Sequence, residues 1–341
     1  MIRIMVNVLG RTIEVSTHDE PHLDEIACIW EMKRYGTLTF ISNYAMEGKL
    51  SIGIGGGPFD EHAADNIERK EGECAATLMA KALGVEDDPA LEPILKFVCS
   101  RDLKGKSQPF DLDSLVKLMN ARFPNDPEHV IEWAIAALEA KYQEQLAFFT
   151  STKAAFEKAK IEDVEGPGGR KYRMVVAESD EAQLSKYARS NLGGNSAIII
   201  QRQSSGNVQI YTNQKYNLTL YDVIQMLRFE EQKSKGKLIT ADWKMLSSEG
   251  KVAGAEEWYL HYSGQMILNG SLTVKNVPPT KLTLEQIVYI VRIGVNPQLF
   301  EHVSCQQNKT CDSRRQNPCP WYAWGMQRCR NIRYRQQIDR Y

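Results

Sequence analysis

The chain has 341 residues, of which 43% are hydrophobic and 25% are charged, as in an ordinary globular protein. This length predicts two domains and a core large enough to need no disulfide bonds. The formal net charge of −1 excludes a general electrostatic attraction of the whole molecule to nucleic acid or lipid. With no long apolar run and no signal-peptide pattern, we expect a cytoplasmic protein with reduced cysteines and no membrane partner.

The predicted elements of the first half are strands followed by helices. Strands are expected at 2–8 and 11–17 around a Leu9-Gly10 turn, and a helix is expected over 23–35, before Gly36. Further strands are predicted at 38–42 and 50–54, and helices at 73–83, 89–99, 111–122 and 126–160. This order favours the α/β class and a first domain over residues 1–162.

The second half predicts a smaller α/β domain over residues 171–300, preceded by a linker. Residues 162–170 have the Gly- and Pro-rich composition of a linker. Strands are expected at 171–177, 197–202, 208–212 and 257–262, and helices at 181–189, 219–233 and 284–293. Residues 301–341 form a third region, a Cys-rich basic tail.

Three of the six histidines fall in two short clusters that are also rich in carboxylates. The clusters are Thr17-His18-Asp19-Glu20-Pro21-His22-Leu23-Asp24-Glu25 and Gly55-Gly56-Gly57-Pro58-Phe59-Asp60-Glu61-His62. Both follow predicted strands, and ligands of α/β sheets bind where strands end. Imidazole with carboxylate suits Mn, Zn or Fe, so His18, His22, Asp24, Asp60 and His62 are predicted to build a metal site, with His18, His22, Asp24 and Asp60 as ligands. Taken singly, Asp24 could instead be a helix cap and Asp60 a turn residue.

These clusters resemble the melanocyte-proliferating-gene family of metal-dependent hydrolases, which is related to the DHH phosphoesterases and their RecJ-like nucleases. The resemblance spans roughly residues 12–300, with further similarity at Glu73–Leu78 and, loosely, at His261–Gly270. It implies a DHH-phosphoesterase-like N-terminal domain, manganese or another divalent transition metal, and phosphodiester hydrolysis by metal-activated water.

The same resemblance implies roles for five further residues. Asp102 would be a metal ligand, although it could equally be a helix-end carboxylate paired with Arg101. His62 or Glu61 would pass a proton to the leaving group. In the second domain, His261 and Asn269 would face the phosphate, and a strand-packing role for His261 is the alternative.

Two positions depart from the family pattern. Its second motif places an Asp just before the glycine turn, where this chain has Gly53, and its Asp-His-His motif reads Asp60-Glu61-His62 here. These departures predict either one metal in place of two or a changed metal preference. The leading interpretation is a 3′–5′ exonuclease or nucleotide phosphodiesterase. The alternatives are a catalytically degenerate nucleic-acid-binding or regulatory protein that keeps the metal, and a hydrolase of small phosphorylated molecules.

The tail contains four of the seven cysteines, namely Cys305, Cys311, Cys319 and Cys329. Four thiolates can hold zinc or an iron–sulfur cluster, and unpaired thiols or disulfides remain as alternatives. From Cys305 onward the tail has eight Lys or Arg and two Asp residues, interleaved with Trp and Tyr. This mixture predicts contact with nucleic acid or a nucleotide, or else with the acidic body of the same chain. The oligomeric state is unknown from the sequence.

Overall fold

The structure is a computed structural model that describes residues 1–62, 72–105, 108–166, 169–236, 239, 242–270, 274 and 276–296. Helices and strands are mixed throughout these residues, in agreement with the predicted α/β class. The chain divides into two compact units, Met1–Thr150 and Ser151–Tyr341. The predicted metal or cluster site at the four tail cysteines lies outside the described residues.

The first unit contains three strands and six helices in its described part. They are β1 (Ile2–Val8), β2 (Arg11–Thr17), α1 (Leu23–Tyr35), α2 (Leu38–Tyr44), β3 (Lys49–Ser51), α3 (Ala75–Leu83), α4 (Glu92–Lys104), α5 (Leu112–Arg122) and α6 (Pro127–Phe149). β1 and β2 form an antiparallel hairpin, and β3 adds to β2 in parallel. The predicted hairpin and α1 are confirmed with their predicted bounds.

Helix α1 lies at the centre of this unit and packs against α3, α4 and α6. Ten of its thirteen residues are buried, so it is a core helix and not an amphipathic surface helix. Two acidic residues, Asp24 and Glu25, occupy its first turn, and Lys33 and Arg34 occupy its last turn. Negative charge is stabilised at the N-terminus of a helix and positive charge at its C-terminus. The N-terminus of α1, which follows β2 in the chain, can therefore accommodate two adjacent carboxylates.

The strand predicted at 38–42 is wrong, because these residues form α2. Its sequence, Leu-Thr-Phe-Ile-Ser-Asn-Tyr, is rich in the residue types that strands favour. The Thr37 hydroxyl, however, accepts a hydrogen bond from the Phe40 amide at 3.0 Å and caps a helix. The Phe40 ring then packs on Phe59, with 6.0 Å between centroids. A cap and a distant packing partner thus override local propensity.

The second unit contains a six-stranded sheet in the order β4-β5-β6-β7-β9-β8. Its elements are α7 (Ser151–Glu157), β4 (Lys160–Glu165), β5 (Lys171–Glu178), α8 (Leu184–Arg189), β6 (Ile198–Arg202), β7 (Val208–Thr212), α9 (Tyr221–Ser234), α10 (Trp243–Leu246), β8 (Tyr259–Leu260), β9 (Met266–Leu268) and α11 (Leu284–Gly294). β5 and β6 are parallel, and the other neighbouring strands are antiparallel.

One buried charge organises the loop before β8. The Arg228 guanidinium donates hydrogen bonds to the carbonyls of Leu246, Ser248, Gly250 and Trp258.

The predicted linker at 162–170 is also wrong over its first residues. Residues 160–165 form β4, which pairs with β5 and buries Val164 opposite Tyr172. The helix predicted over 126–160 is two helices, because Thr150 leaves helical geometry with φ −113° and ψ −90°. The division between units therefore falls at Thr150, earlier than the predicted boundary of 162–171. In the part of the chain that is described, no helix is long and apolar enough to cross a membrane.

Candidate metal centre

Three groups of metal-ligand side chains form in the first unit, each with ligand atoms within 4.8 Å of one another. We call them the imidazole group (His18, His22, Glu25), the carboxylate group (Asp24, Glu61, Asp102) and the turn group (Asp60, Glu61, His62). Among the described residues, no other His, Cys, Asp and Glu side chains meet this distance criterion. All three groups contain a residue from the two clusters that the sequence singled out.

The imidazole group is built around the Glu25 carboxylate, which is only 1% exposed. Its Oε2 atom accepts a hydrogen bond from the His22 amide at 2.8 Å, and its Oε1 atom contacts His18 Nδ1. The rings of His18 and His22 stack with 5.4 Å between centroids. One buried carboxylate therefore fixes both ends of the loop between β2 and α1 and brings the two imidazoles together.

The backbone at Gly53 makes room for this carboxylate. Gly53 has a φ of +68°, and a Cβ atom added there would lie 2.3 Å from Glu25 Oε1. Any side chain at this position would therefore displace Glu25, quite apart from the backbone strain. The position where the family pattern has an Asp is thus approached by the carboxylate of Glu25. Sequence reasoning missed Glu25 as a site residue, although its place three residues after the helix cap is that of a capping-box glutamate.

The carboxylate group joins three separate segments of the chain. Asp24 comes from the first turn of α1, Glu61 from the loop after β3, and Asp102 from the last turn of α4. Asp24 and Glu61 are each only 4% exposed. Burial raises the pKa of Asp24 well above its usual range, and the neighbouring charges of Asp102, Glu25 and Glu61 raise it further. Neutralisation by a cation would relieve this repulsion.

Glu61 has one oxygen atom available to an ion. Its Oε1 atom lies 3.3 Å from His62 Nδ1. Its Oε2 atom is buried and has no hydrogen-bond partner among the described residues. A buried acceptor without a partner costs free energy, so a ligand for Oε2 is expected. The Glu61 carboxyl thus fits the role of a cation ligand.

The turn group fixes His62 at the protein surface. The Asp60 carboxylate accepts hydrogen bonds from the Gly56 amide at 2.8 Å and from the His62 amide at 3.0 Å. His62 Nδ1 lies 2.9 Å from Asp60 Oδ1, and its side chain is 60% exposed. Burial alone would raise the pKa of Asp60, but these hydrogen bonds and the imidazole hold that pKa below its usual value. Each Asp60 oxygen therefore accepts a hydrogen bond within the turn, so Asp60 orients His62, and its carboxylate, like that of Glu25, remains among the side chains that could hold an ion.

The structure places the other predicted residues as follows. Asp102 lies in the carboxylate group, while its neighbour Arg101 pairs with Asp111 at 3.0 Å. In the second unit, His261 is partly exposed and its Nδ1 atom lies 2.9 Å from Ser263 Oγ. The predicted phosphate contact of Asn269 does not fit, because this side chain is fully buried.

The Asn269 amide instead holds the surrounding loops. Its nitrogen donates to the carbonyls of Glu257 and Pro278, at 3.3 Å and 3.0 Å, and its oxygen accepts from the Thr280 amide at 2.9 Å. These bonds use its donors and its acceptor internally, so Asn269 is a structural residue. Three cysteines outside the tail, Cys28, Cys74 and Cys99, are buried free thiols.

The first unit therefore presents nitrogen and oxygen ligands at the junction of β2, α1 and the loop after β3. Imidazole and carboxylate together suit divalent transition metals, and carboxylates alone suit harder ions. Compared with known proteins, the chain matches no protein-family model, no curated protein and no solved structure.

Proposed function

We propose that the first unit is a metal-dependent phosphoester hydrolase. The observation that carries the proposal is the carboxylate group, in which three acidic side chains from distant segments converge within 4.8 Å and two of them are buried. Such an arrangement of like charges is unfavourable unless a cation or added protons neutralise it. The adjacent imidazole group supplies the nitrogen ligands that manganese, zinc or iron would use.

The chemistry follows from what the side chains hold and orient. A divalent ion at these groups would lower the pKa of a bound water and neutralise charge on phosphoryl oxygens. His62 is exposed and its Nδ1 atom lies beside Asp60 Oδ1, so Nε2 is the ring nitrogen that would donate a proton to the leaving oxygen. Asp60 thus acts as a positioning residue and His62 as the general acid.

The substrate class in this proposal is a phosphodiester of a nucleic acid end or a nucleotide. Its support is at the level of sequence: the family resemblance, and the Arg-, Trp- and Tyr-rich tail. A second candidate is a nucleic-acid-binding or regulatory protein that keeps the ion without turnover. Gly53 favours this candidate, because it offers no carboxylate where the family pattern has an Asp.

The test is the Asp24→Asn variant, which keeps the shape of the side chain and removes its charge. We expect manganese-dependent release of nitrophenol from a phosphodiester to fall by more than about 100-fold. Loss of a residue that only supports a metal ligand already lowers activity by up to about 100-fold, and Asp24 is proposed as a ligand itself. The circular dichroism spectrum should remain unchanged. Asp87→Asn, at an exposed residue of the same unit, is the matched control.

Labelled RNA and DNA should be assayed with the same variants. Activity of Asp24→Asn equal to that of the wild-type chain would contradict the proposal. A wild-type chain that is inactive with Mn, Mg, Zn and Co would favour the non-catalytic candidate.

A further inference from the structure

The imidazole and carboxylate groups differ in the chemistry of their donors. The imidazole group offers two ring nitrogens and the Glu25 carboxylate. Two His and one Glu are the protein ligands of a known type of catalytic zinc site, in which water is the fourth ligand. The carboxylate group offers oxygen atoms only, which magnesium and manganese prefer.

The two groups have no residue in common. Asp24 and Glu25 are consecutive in the first turn of α1, but successive side chains of a helix point about 100° apart. Glu25 is committed to His18 and to the His22 amide, whereas Asp24 meets Glu61 and Asp102. One turn of helix therefore supplies a ligand to each of two neighbouring groups.

Because Gly53 has no side chain, it adds no second carboxylate to the imidazole group. A side chain at this position would begin 2.3 Å from Glu25 Oε1. Because there is none, Glu25 is the only carboxylate in the imidazole group, and the group keeps its nitrogen-rich character. At the carboxylate group, the independent sign of a ligand is Glu61 Oε2, which is buried without a hydrogen-bond partner among the described residues.

From these donor sets we propose that the two groups bind different ions at the same time: zinc or a similar borderline ion at the imidazole group, and manganese or magnesium at the carboxylate group. The proposal rests on the proposed metal-dependent function and specifies its metals. Each ion has donors of its own, so neither should displace the other at stoichiometric concentration.

The test is metal binding by the metal-free full chain. Manganese binding is followed by electron paramagnetic resonance and zinc binding by calorimetry. We expect the bound manganese signal to persist when zinc fills the imidazole group. The tail cysteines could also bind zinc, because thiolates are common zinc ligands. The zinc bound at the imidazole group is therefore taken as the number of zinc ions bound by the wild-type chain minus the number bound by His22→Ala.

A substitution in either group should weaken the binding of one ion and leave the binding of the other unchanged. Glu61→Gln is expected to weaken manganese binding by at least about tenfold and to leave the zinc difference intact, and His22→Ala should do the reverse. Asp102→Asn provides a second carboxylate variant in case Glu61→Gln does not fold. The controls are His129→Gln and Glu132→Gln, at exposed positions on α6, and they should retain both ions.

Displacement of manganese by one equivalent of zinc would overturn the proposal. Equal loss of both ions in His22→Ala and Glu61→Gln, or absence of a zinc difference between the wild-type chain and His22→Ala, would do the same. Because these readouts need no turnover, an inactive chain that binds both ions would contradict the proposed hydrolase and leave this inference standing.

Discussion

At the scale of single residues, the contact between Gly53 and Glu25 decides how the imidazole group is held. The Glu25 carboxylate fills the space in which a side chain at position 53 would begin. It also contacts His18 and accepts a hydrogen bond from the His22 amide, so a shift of this carboxylate would misplace both imidazoles. Residues that orient metal-binding histidines affect metal affinity even when they do not bind the ion.

Gly53→Ala is therefore expected to weaken zinc binding at the imidazole group by about tenfold or more. Gly55→Ala is the matched control, because Gly55 also has a positive φ (+80°), but among the described residues other than its two chain neighbours no atom lies within 4 Å of an added Cβ. Both variants should lose about 1–2 kcal/mol of stability from the left-handed backbone. Calorimetric zinc titration distinguishes them, and equal zinc affinity in the two variants would contradict the steric argument.

Residue types alone could identify His18, His22, Asp24 and Asp60 as a cluster worth attention. They could not show that Asp60 is engaged within its own turn, because that depends on the fold of the glycine loop. Nor could they show that Glu25 and Glu61 are buried, since glutamate is normally a surface residue. The convergence of Asp24 with Asp102 depends on how α1 packs against α4, which local sequence does not specify.

At the scale of elements, α1 carries a third buried acid, which belongs to none of the three metal-ligand groups. Glu31 is fully buried, and neither carboxyl oxygen has a hydrogen-bond partner among the described residues. Burial raises the pKa of Glu31 well above its usual value. In the unfolded chain a glutamate ionises at about pH 4.3. Above that pH, unfolding releases a proton that the folded helix retains.

The free energy of unfolding should therefore fall as the pH rises above about 4.3, by up to about 1.4 kcal/mol per pH unit, until the folded pKa is passed. Glu31→Gln removes this dependence and should stabilise the metal-free chain more at pH 8 than at pH 5. Thermal unfolding at both pH values measures the effect. The exposed Glu132→Gln is the control, and a pH slope equal to that of the wild-type chain in Glu31→Gln would refute the account.

Elements whose periodicity and caps agree could be predicted from sequence, and α1 and the β1–β2 hairpin are examples. The helix α2 could not be, because its composition favours a strand and its stability depends on Phe59, far along the chain. The strand β4 could not be predicted for a similar reason. Its polar, acidic sequence is that of a linker, and only pairing with β5 makes it a strand.

At the scale of the whole molecule, all three metal-ligand groups belong to the first of the two compact units. A ligand that binds only the folded state stabilises it by about 2.7 kcal/mol at 100 times its dissociation constant. Manganese at that concentration should therefore raise the unfolding temperature of the first unit and leave that of the second unchanged. Differential scanning calorimetry of the full chain measures both transitions.

The variant Arg228→Met identifies the transition of the second unit. It leaves four carbonyls without their buried donor and should cost about 1–3 kcal/mol for each carbonyl that stays buried without a new partner. Arg3→Met, at an exposed residue of β1, is the control. If the transition that Arg228→Met lowers is the one that manganese raises, the assignment of the metal groups to the first unit fails.

The first turn of α1 also has a consequence for the order of events during synthesis. The imidazole group comes from one contiguous stretch, His18–Glu25, whereas the carboxylate group waits for Glu61 and for Asp102 on α4. Contacts that are local in sequence form earlier than distant ones. If the proposed ion binds the local group, it can be captured while the rest of the unit is still being made, and its binding free energy then helps α1 to form. The carboxylate group is complete only after Asp102 has been made, so on the two-ion proposal the imidazole group would receive its ion first.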